Sequence, residues 1–309
     1  MSLPSLFPSR PADASLPALS GGMQGVADGA FMGWDFHPGT VYALGLTFAD
    51  HMRETGEAAI APVVFRKYCT PQPGQTVVST PNAAALQAAI TASDAELAGR
   101  FPALAALLDY EVEIGIALLQ PVSLPQLQQA DCQIDFGLFV ANDLTARGVQ
   151  IAGEAGRDKL ALWSAAKSFD GFLPVGAQLW RPFQADLASF PDLQLQTWVN
   201  GQLRQSAHSS QMLYSPRQLL CAAAAVAPGG LLQQYDLLLC GTPAGIGLSI
   251  PAWKRRLASL LPPRWRAQAA LHANRHNPRL LQPGDLVRCS AGWLGQSEVA
   301  IFLTPARSA

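Results

Sequence analysis

Tyr110-Glu111-Val112-Glu113-Ile114-Gly115-Ile116-Ala117-Leu118-Leu119 begins as an alternation of carboxylates with apolar side chains and ends as an unbroken apolar run. It has the length of a single strand, and an apolar tail of this kind belongs to a strand buried for most of its length. Outward from it, Gln133 to Ala141 reads as a second buried strand and Tyr235 to Cys240 as a third. A strand is expected to begin near Val41, with further pieces at Pro62 to Lys67 and Gln75 to Ser79. Trp198-Val199-Asn200-Gly201-Gln202-Leu203 sets Asn-Gly between apolar positions, a strong hairpin signal. Val287 to Leu303 returns to strand pattern with turns at Gly292 and Gly295. Helices are fewer. Thr47 to Glu57 is polar and helix-compatible, Asn82 to Leu108 is rich in Ala and Leu with a break expected at Pro102, and Ser215 to Ala225 suggests another helix.

Composition narrows the class. With 309 residues, 49% hydrophobic and 14% charged, the chain buries a sizeable core, which excludes a disordered tail or a stapled mini-domain. The 26 glycines and 24 prolines argue for many turns and a strand-rich fold. The 21 basic and 22 acidic residues nearly cancel, which removes the electrostatic footprint of a general nucleic-acid binder and points to a small-molecule partner. Five widely spaced cysteines without Cys-x-x-Cys signal neither a disulfide framework nor a zinc ribbon, and read as reduced thiols in cytoplasm. Met1 to Arg10 has no export pattern, and no window of about 18 apolar residues occurs, so no membrane span is expected. Residues 1–39 read as an extended or looped lead-in. Residues 251–280 carry Lys254, Arg255, Arg256, Arg264, Arg266, Arg275 and Arg279 without an acidic residue. This segment reads either as a surface insertion or subunit contact, or as a lid that attracts anions.

The chemistry gathers near the opening stretch. Glu111 and Glu113 lie two apart in a strand, so both carboxylates project from one face among apolar neighbours. A divalent cation between them would offset the cost of burial, and oxygen ligands suit Mg²⁺, Mn²⁺ or Ca²⁺ better than zinc. Asp143, at the end of an apolar strand, is the best third ligand. Glu-x-Glu alone also fits an exposed alternating strand, and His51 and Glu54, three apart, also fit an ordinary pair on a helix face.

The flanking text is what decides. The chain resembles the fumarylacetoacetate hydrolase family in Tyr110-Glu111-Val112-Glu113, in Ala141-Asn142-Asp143-Leu144-Thr145-Ala146-Arg147, and in Ala166-Lys167-Ser168-Phe169-Asp170-Gly171-Phe172. It does so again in Val199-Asn200-Gly201-Gln202-Leu203-Arg204-Gln205, in Gly241-Thr242-Pro243-Ala244-Gly245-Ile246-Gly247, and in Leu281-Gln282-Pro283-Gly284-Asp285. The order is the family's, and the resemblance runs from about Val41 to Leu303. It implies a mixed α+β fold, the family's rolled β-sandwich, as a catalytic domain over residues 40–305 with insertions near 80–108 and 248–280. It also implies a divalent metal, Mg²⁺ or Mn²⁺, on Glu111, Glu113 and Asp143. Lys167 matches the family's lysine that faces developing negative charge. His51 and Glu54 match its His-x-x-Glu pair on a mobile segment, Gly45 to Gly56, where the glutamate holds the imidazole and the pair activates water. Thr242 matches the Gly-Thr-Pro loop beside the substrate carboxylate, and Arg147 and Gln150 keep the family residues of Thr-Ala-Arg-x-x-Gln, read as substrate-binding.

Two departures stand out. Leu46 occupies the position where the family usually has arginine, and Tyr68 replaces a proline, so the wall near Lys67 is expected to differ. The resemblance implies a metal-dependent hydrolase that cleaves a carbon–carbon bond in a β-diketo acid such as an acylpyruvate. The runner-up is decarboxylation or tautomerisation of a keto diacid through the same enolate, and a third reading is a non-catalytic metal- and ligand-binding member. The expected partner is a small keto acid, with no nucleic acid and no membrane, and the expected assembly is a homo-oligomer, a dimer favoured.

Overall fold

The computed structural model describes residues 28–55, 61–248 and 260–303. Val112–Leu118 is a strand with all seven residues buried, and so is its antiparallel partner Phe136–Asn142. These two strands lie at the centre of a nine-stranded mixed sheet. Its order runs Gly29–Met32, Leu179–Pro182, Phe136–Asn142, Val112–Leu118, Leu237–Leu239, Val41–Gly45, Val63–Lys67, with Gln72–Pro73 and Pro174–Val175 attached at the side. A five-stranded sheet, in the order Gln202–His208, Gln194–Val199, Leu286–Ala291, Gln296–Leu303, Val77–Thr80, packs across the two central strands. That cover explains why the apolar run loses its alternation, whereas Gln194–Val199, with one face outward, alternates between buried and more open positions.

Helices complete an α+β arrangement. Pro216–Val226, capped by Ser215, packs on Val41–Gly45 and Val63–Lys67, and Lys159–Lys167, capped by Asp158, packs on Val63–Lys67. Between residues 82 and 108 the helical break comes at Asp94 instead of Pro102. The Asp94 carboxylate accepts from Leu97 N and starts Ala95–Arg100, directly after Ala83–Ser93, whose own cap is Asn82. Part of the lead-in is an edge strand, Gly29–Met32, paired antiparallel with Leu179–Pro182. The expected hairpin forms between Gln194–Val199 and Gln202–His208, with Asn200 at φ 49° and Gly201 at φ 77°, the positive pair a two-residue turn of this hand requires.

In the basic segment, Pro263–Asn274 is a helix with Arg264 exposed, while Lys254, Arg255 and Arg256 lie outside the described residues. No helix among the described residues is long and apolar enough to cross a membrane.

The central pair sets the site. Register matches Val112 with Asn142, and Asp143 N donates to Glu111 O at 2.9 Å. The beginning of one strand therefore lies beside the end of the other, so that Glu111, Glu113 and Asp143 meet. Burying Val112, Ile114, Ile116 and Leu118 stabilises this register by about 1.5–3 kcal/mol for each side chain. A slip of one residue would turn both glutamates to the opposite face.

Candidate metal centre

Glu111, Glu113 and Asp143 are all buried, and one oxygen from each lies within 4.8 Å of the others. The donor set is carboxylate oxygen only, which fits a hard divalent cation. Three buried cations surround it. Lys167 Nζ donates to Glu111 Oε2 at 2.6 Å, to Asp143 Oδ2 at 2.6 Å and to Thr145 Oγ1 at 2.8 Å. Lys67 Nζ donates to Asp143 Oδ1 at 2.5 Å. Arg147 gives Nη2 to Glu111 Oε1 at 2.6 Å, Nε to Asp109 Oδ2 at 2.8 Å and Nη1 to Gln150 Oε1 at 2.6 Å.

Four carboxylates, counting Asp109, thus face three cations, leaving one negative charge in excess. Burial alone would raise every carboxyl pKa. At Glu111 it is outweighed by Lys167 and Arg147, which hold the group at about 2. At Glu113 burial acts together with the charges of Asp143 and Glu111, and the pKa goes well above the ordinary carboxylate range. The excess charge therefore falls on Glu113, the ligand a bound cation would relieve most. Burial lowers the Lys167 pKa, but Asp143 and Glu111 more than reverse this, so its ammonium persists.

The loop after strand Leu237–Leu239 ties these acids together through its backbone. Gly241 N donates to Glu113 Oε2 at 2.7 Å. Gly245 N donates to both oxygens of Glu54, at 3.3 and 3.1 Å. Gly247 N and Leu248 N donate to the two oxygens of Asp109, at 2.7 and 3.1 Å. Thr242, also buried, accepts from Gln205 Nε2 at 2.8 Å, and Gln205 Oε1 in turn accepts from Val112 N at 3.0 Å.

His51 and Glu54 sit on the short helix Ala49–Thr55. The imidazole Nδ1 lies 3.5 Å from Glu54 Oε2, an electrostatic contact and not a hydrogen bond, and Nδ1 is buried without a hydrogen-bond partner among the described residues. His51 is near enough to Glu111 to help hold that carboxyl ionised. The structure therefore brings Glu111, Glu113, Asp143, Lys167, Arg147 and Gln150 together, sets His51 near Glu111, and ties Glu54 and Thr242 to the centre through the loop after Leu237–Leu239 and through Gln205. Arg147, read there as substrate-binding, has Nε, Nη1 and Nη2 engaged by Asp109, Gln150 and Glu111, and Gln150 reaches the centre through it. Tyr68 is 73% exposed and does not wall a buried site, and Leu46 puts a buried leucine at φ 65° where a cation was looked for. Lys67 was placed only in a pocket wall and the loop amides only beside a substrate carboxylate, while Asp109, Thr145 and Gln205 were given no role. Gln205 and the loop glycines did stand inside quoted motifs, whereas nothing near Lys67 or Asp109 announces a contact across 76 or 38 positions of chain.

Against known proteins, the model of the fumarylacetoacetate hydrolase C-terminal family matches residues 40–301. The chain is 31% identical over 214 residues to Protein Rv2993c of Mycobacterium tuberculosis, covering 67% of this chain and 66% of that protein. It is 29% identical over 215 residues to the mitochondrial oxaloacetate tautomerase FAHD1 of Mus musculus, covering 67% and 80%. Its fold is similar to that of fumarylpyruvate hydrolase from Pseudomonas aeruginosa, solved with Mn²⁺ and pyruvate, with TM-score 0.60 and 20% identity over 91% of this chain and 97% of that one.

Proposed function

The chain belongs to the fumarylacetoacetate hydrolase family, and on that premise we propose that it is a divalent-metal-dependent hydrolase cleaving a carbon–carbon bond in a β-diketo acid of the acylpyruvate or fumarylacetoacetate type. The observation that carries this reading is the single loop whose amides hold both Glu113 of the carboxylate triad and Glu54 of the His51 pair. Water activation and anion stabilisation are thereby built onto one frame. A divalent cation, Mg²⁺ or Mn²⁺, on Glu111, Glu113 and Asp143 would supply Lewis acidity toward the oxygens of the keto acid.

The protein's own groups account for the remaining steps. His51 takes a proton from water, with Glu54 holding the imidazole, and the hydroxide adds to the distal carbonyl. As that adduct collapses, the carbon–carbon bond breaks and its electron pair goes to the pyruvate-side carbon as an enolate. Lys167, fixed by Glu111, Asp143 and Thr145, stands as a preorganised cation for the developing charge. Return of a proton to carbon gives a keto acid and a carboxylic acid. Thr242, held by Gln205, would receive the substrate carboxylate. Held by Glu111, Glu113 and Asp143, a divalent cation would leave the ionised site with a net positive charge, suited to the carboxylate of a keto acid. We further propose a homodimer acting in the cytoplasm.

A second reading, decarboxylation or tautomerisation of an oxaloacetate-like keto diacid, uses the same enolate without water, and the similarity to a relative named as an oxaloacetate tautomerase favours it. The test is to incubate acylpyruvates, a fumarylpyruvate-like compound and oxaloacetate with Mg²⁺ or Mn²⁺, following enol absorbance and identifying products. Hydrolysis that disappears in His51→Ala supports the first reading. Turnover of oxaloacetate alone, kept in His51→Ala, replaces it with the second.

A further inference from the structure

The loop from Gly241 to Leu248 has two working sides. Its amides face the acids, whereas its carbonyls face donors from elsewhere. Gly245 O accepts from Tyr110 Oη at 3.2 Å and from Arg279 Nη2 at 3.1 Å, and Ile246 O accepts from Arg279 Nη2 at 3.3 Å. Gly247 O accepts from Asn277 Nδ2 at 3.1 Å. Three consecutive carbonyls are thus held by Tyr110 and by two residues that follow the helix Pro263–Asn274.

Gly245 is the joint between the two sides. Its N–H belongs to the peptide that carries Glu54, and its carbonyl belongs to the next peptide, the one gripped by Arg279 and Tyr110. Its φ is +103°, and a Cβ there would stand 2.4 Å from Arg204 O, so the position is restricted to glycine. Glycine is also the softest torsional joint a chain offers. Anchoring the second peptide restricts the turn about Gly245 that would carry its N–H away from Glu54.

We infer that Arg279 is a positioning residue for the His51–Glu54 pair: its guanidinium, assisted by the Tyr110 hydroxyl, locks the Gly245–Ile246 peptide and so aims the Gly245 amide at Glu54. The inference rests on the proposed function for what that pair does, though not for the geometry. It also gives the basic segment a use other than a lid. Arg279 lies under the site as a brace, with its own carbonyl packed where a Cβ of Gly247 would stand, at 2.9 Å. A charged donor makes the stronger of the two grips.

The experiment compares the full-length wild type with Arg279→Met, Arg279→Lys, Tyr110→Phe, Glu54→Ala and Arg279→Met/Glu54→Ala. Each is assayed for acylpyruvate hydrolysis, for Mn²⁺ affinity by calorimetry and for hydrogen exchange of residues 49–55. Arg279→Met lowers kcat by roughly tenfold or more, the size expected for one lost charge-assisted bond, with KM and Mn²⁺ affinity nearly unchanged. Arg279→Lys recovers part of the loss. Tyr110→Phe, which removes only one oxygen from a buried ring, moves kcat the same way by less and keeps the inference testable if Arg279→Met does not fold. In the Glu54→Ala background Arg279→Met costs nothing further, because the brace acts only through Glu54. Exchange of residues 49–55 quickens in Arg279→Met and in Tyr110→Phe. The inference is overturned by an equal loss in both backgrounds, by unchanged exchange at 49–55, or by loss of Mn²⁺ binding in Arg279→Met. If the wild type hydrolyses no acylpyruvate, the proposed function falls, while exchange and Mn²⁺ titration still decide on the brace.

Discussion

Replacing Lys167 with methionine keeps most of the side-chain volume and removes three hydrogen bonds at once, two of them to buried carboxylates. Breaking a buried ion pair by deleting one partner costs about 3–5 kcal/mol, chiefly because a charge is left uncompensated. Here the compensation is partial, since Glu111 keeps Arg147 and Asp143 keeps Lys67. The expected destabilisation in chelator is therefore near the lower end, ~3 kcal/mol. With a denaturant slope of about 3 kcal/mol/M, that shifts the urea midpoint down by about 1 M. Excess Mn²⁺ should recover part of the deficit, because losing one neighbouring positive charge strengthens cation binding. A tenfold gain in affinity returns about 1.4 kcal/mol under saturating metal. Turnover should stay low throughout, by about 10²–10³-fold, since the cation proposed to face the enolate is gone. Urea unfolding followed by intrinsic fluorescence, in chelator and in Mn²⁺, reads both quantities. A variant as stable as wild type in chelator, or a deficit identical with and without Mn²⁺, would refute the reasoning.

Two further outcomes are expected. Glu113, pushed upward by burial and by Asp143 and Glu111, carries its proton below that raised pKa in the metal-free protein, so cation binding should release a proton and weaken as pH falls. Calorimetric heats that differ between buffers of unlike ionisation enthalpy, with affinity lost in Glu113→Ala, show this; identical heats in all buffers exclude it. Asn200→Ala should destabilise by ~2 kcal/mol, through strain at φ 49° and loss of the bonds to Asp285 Oδ1 and from Leu286 N, while leaving kcat unchanged. Unfolding curves superimposable on wild type would show that the turn does not depend on this side chain.

What the sequence disclosed and what it withheld follow one physical division. The apolar tail of Glu111 to Leu119 announced a strand covered on both faces, and Asn200-Gly201 announced its turn, because both are written in consecutive residues. The triad was legible for a related reason: Glu111 and Glu113 share a face by local geometry, and Asp143 ends the partner strand. The helix break was misplaced to Pro102 because a capping aspartate, Asp94, stops and restarts a helix with a side-chain bond that no proline need mark. Asp109 was silent and Lys67 was noted only at a pocket wall, because the meaning of both lies in partners far along the chain. Arg147 could be matched to a motif, but only coordinates show its nitrogens already taken. The loop amides were the least visible, since an N–H is present at nearly every position and only folding decides which of them are aimed.

That last property bears on how the protein can be dissected. Four N–H groups between Gly241 and Leu248 hold Glu113, Glu54 and Asp109, and none of them changes when a side chain is replaced. An alanine scan across this loop would report crowding and torsion at its glycines and nothing about the bonds themselves. Touching those bonds singly takes an amide-to-ester replacement in a semisynthetic chain, which deletes the donor at Gly241 or Gly245 and leaves every side chain in place.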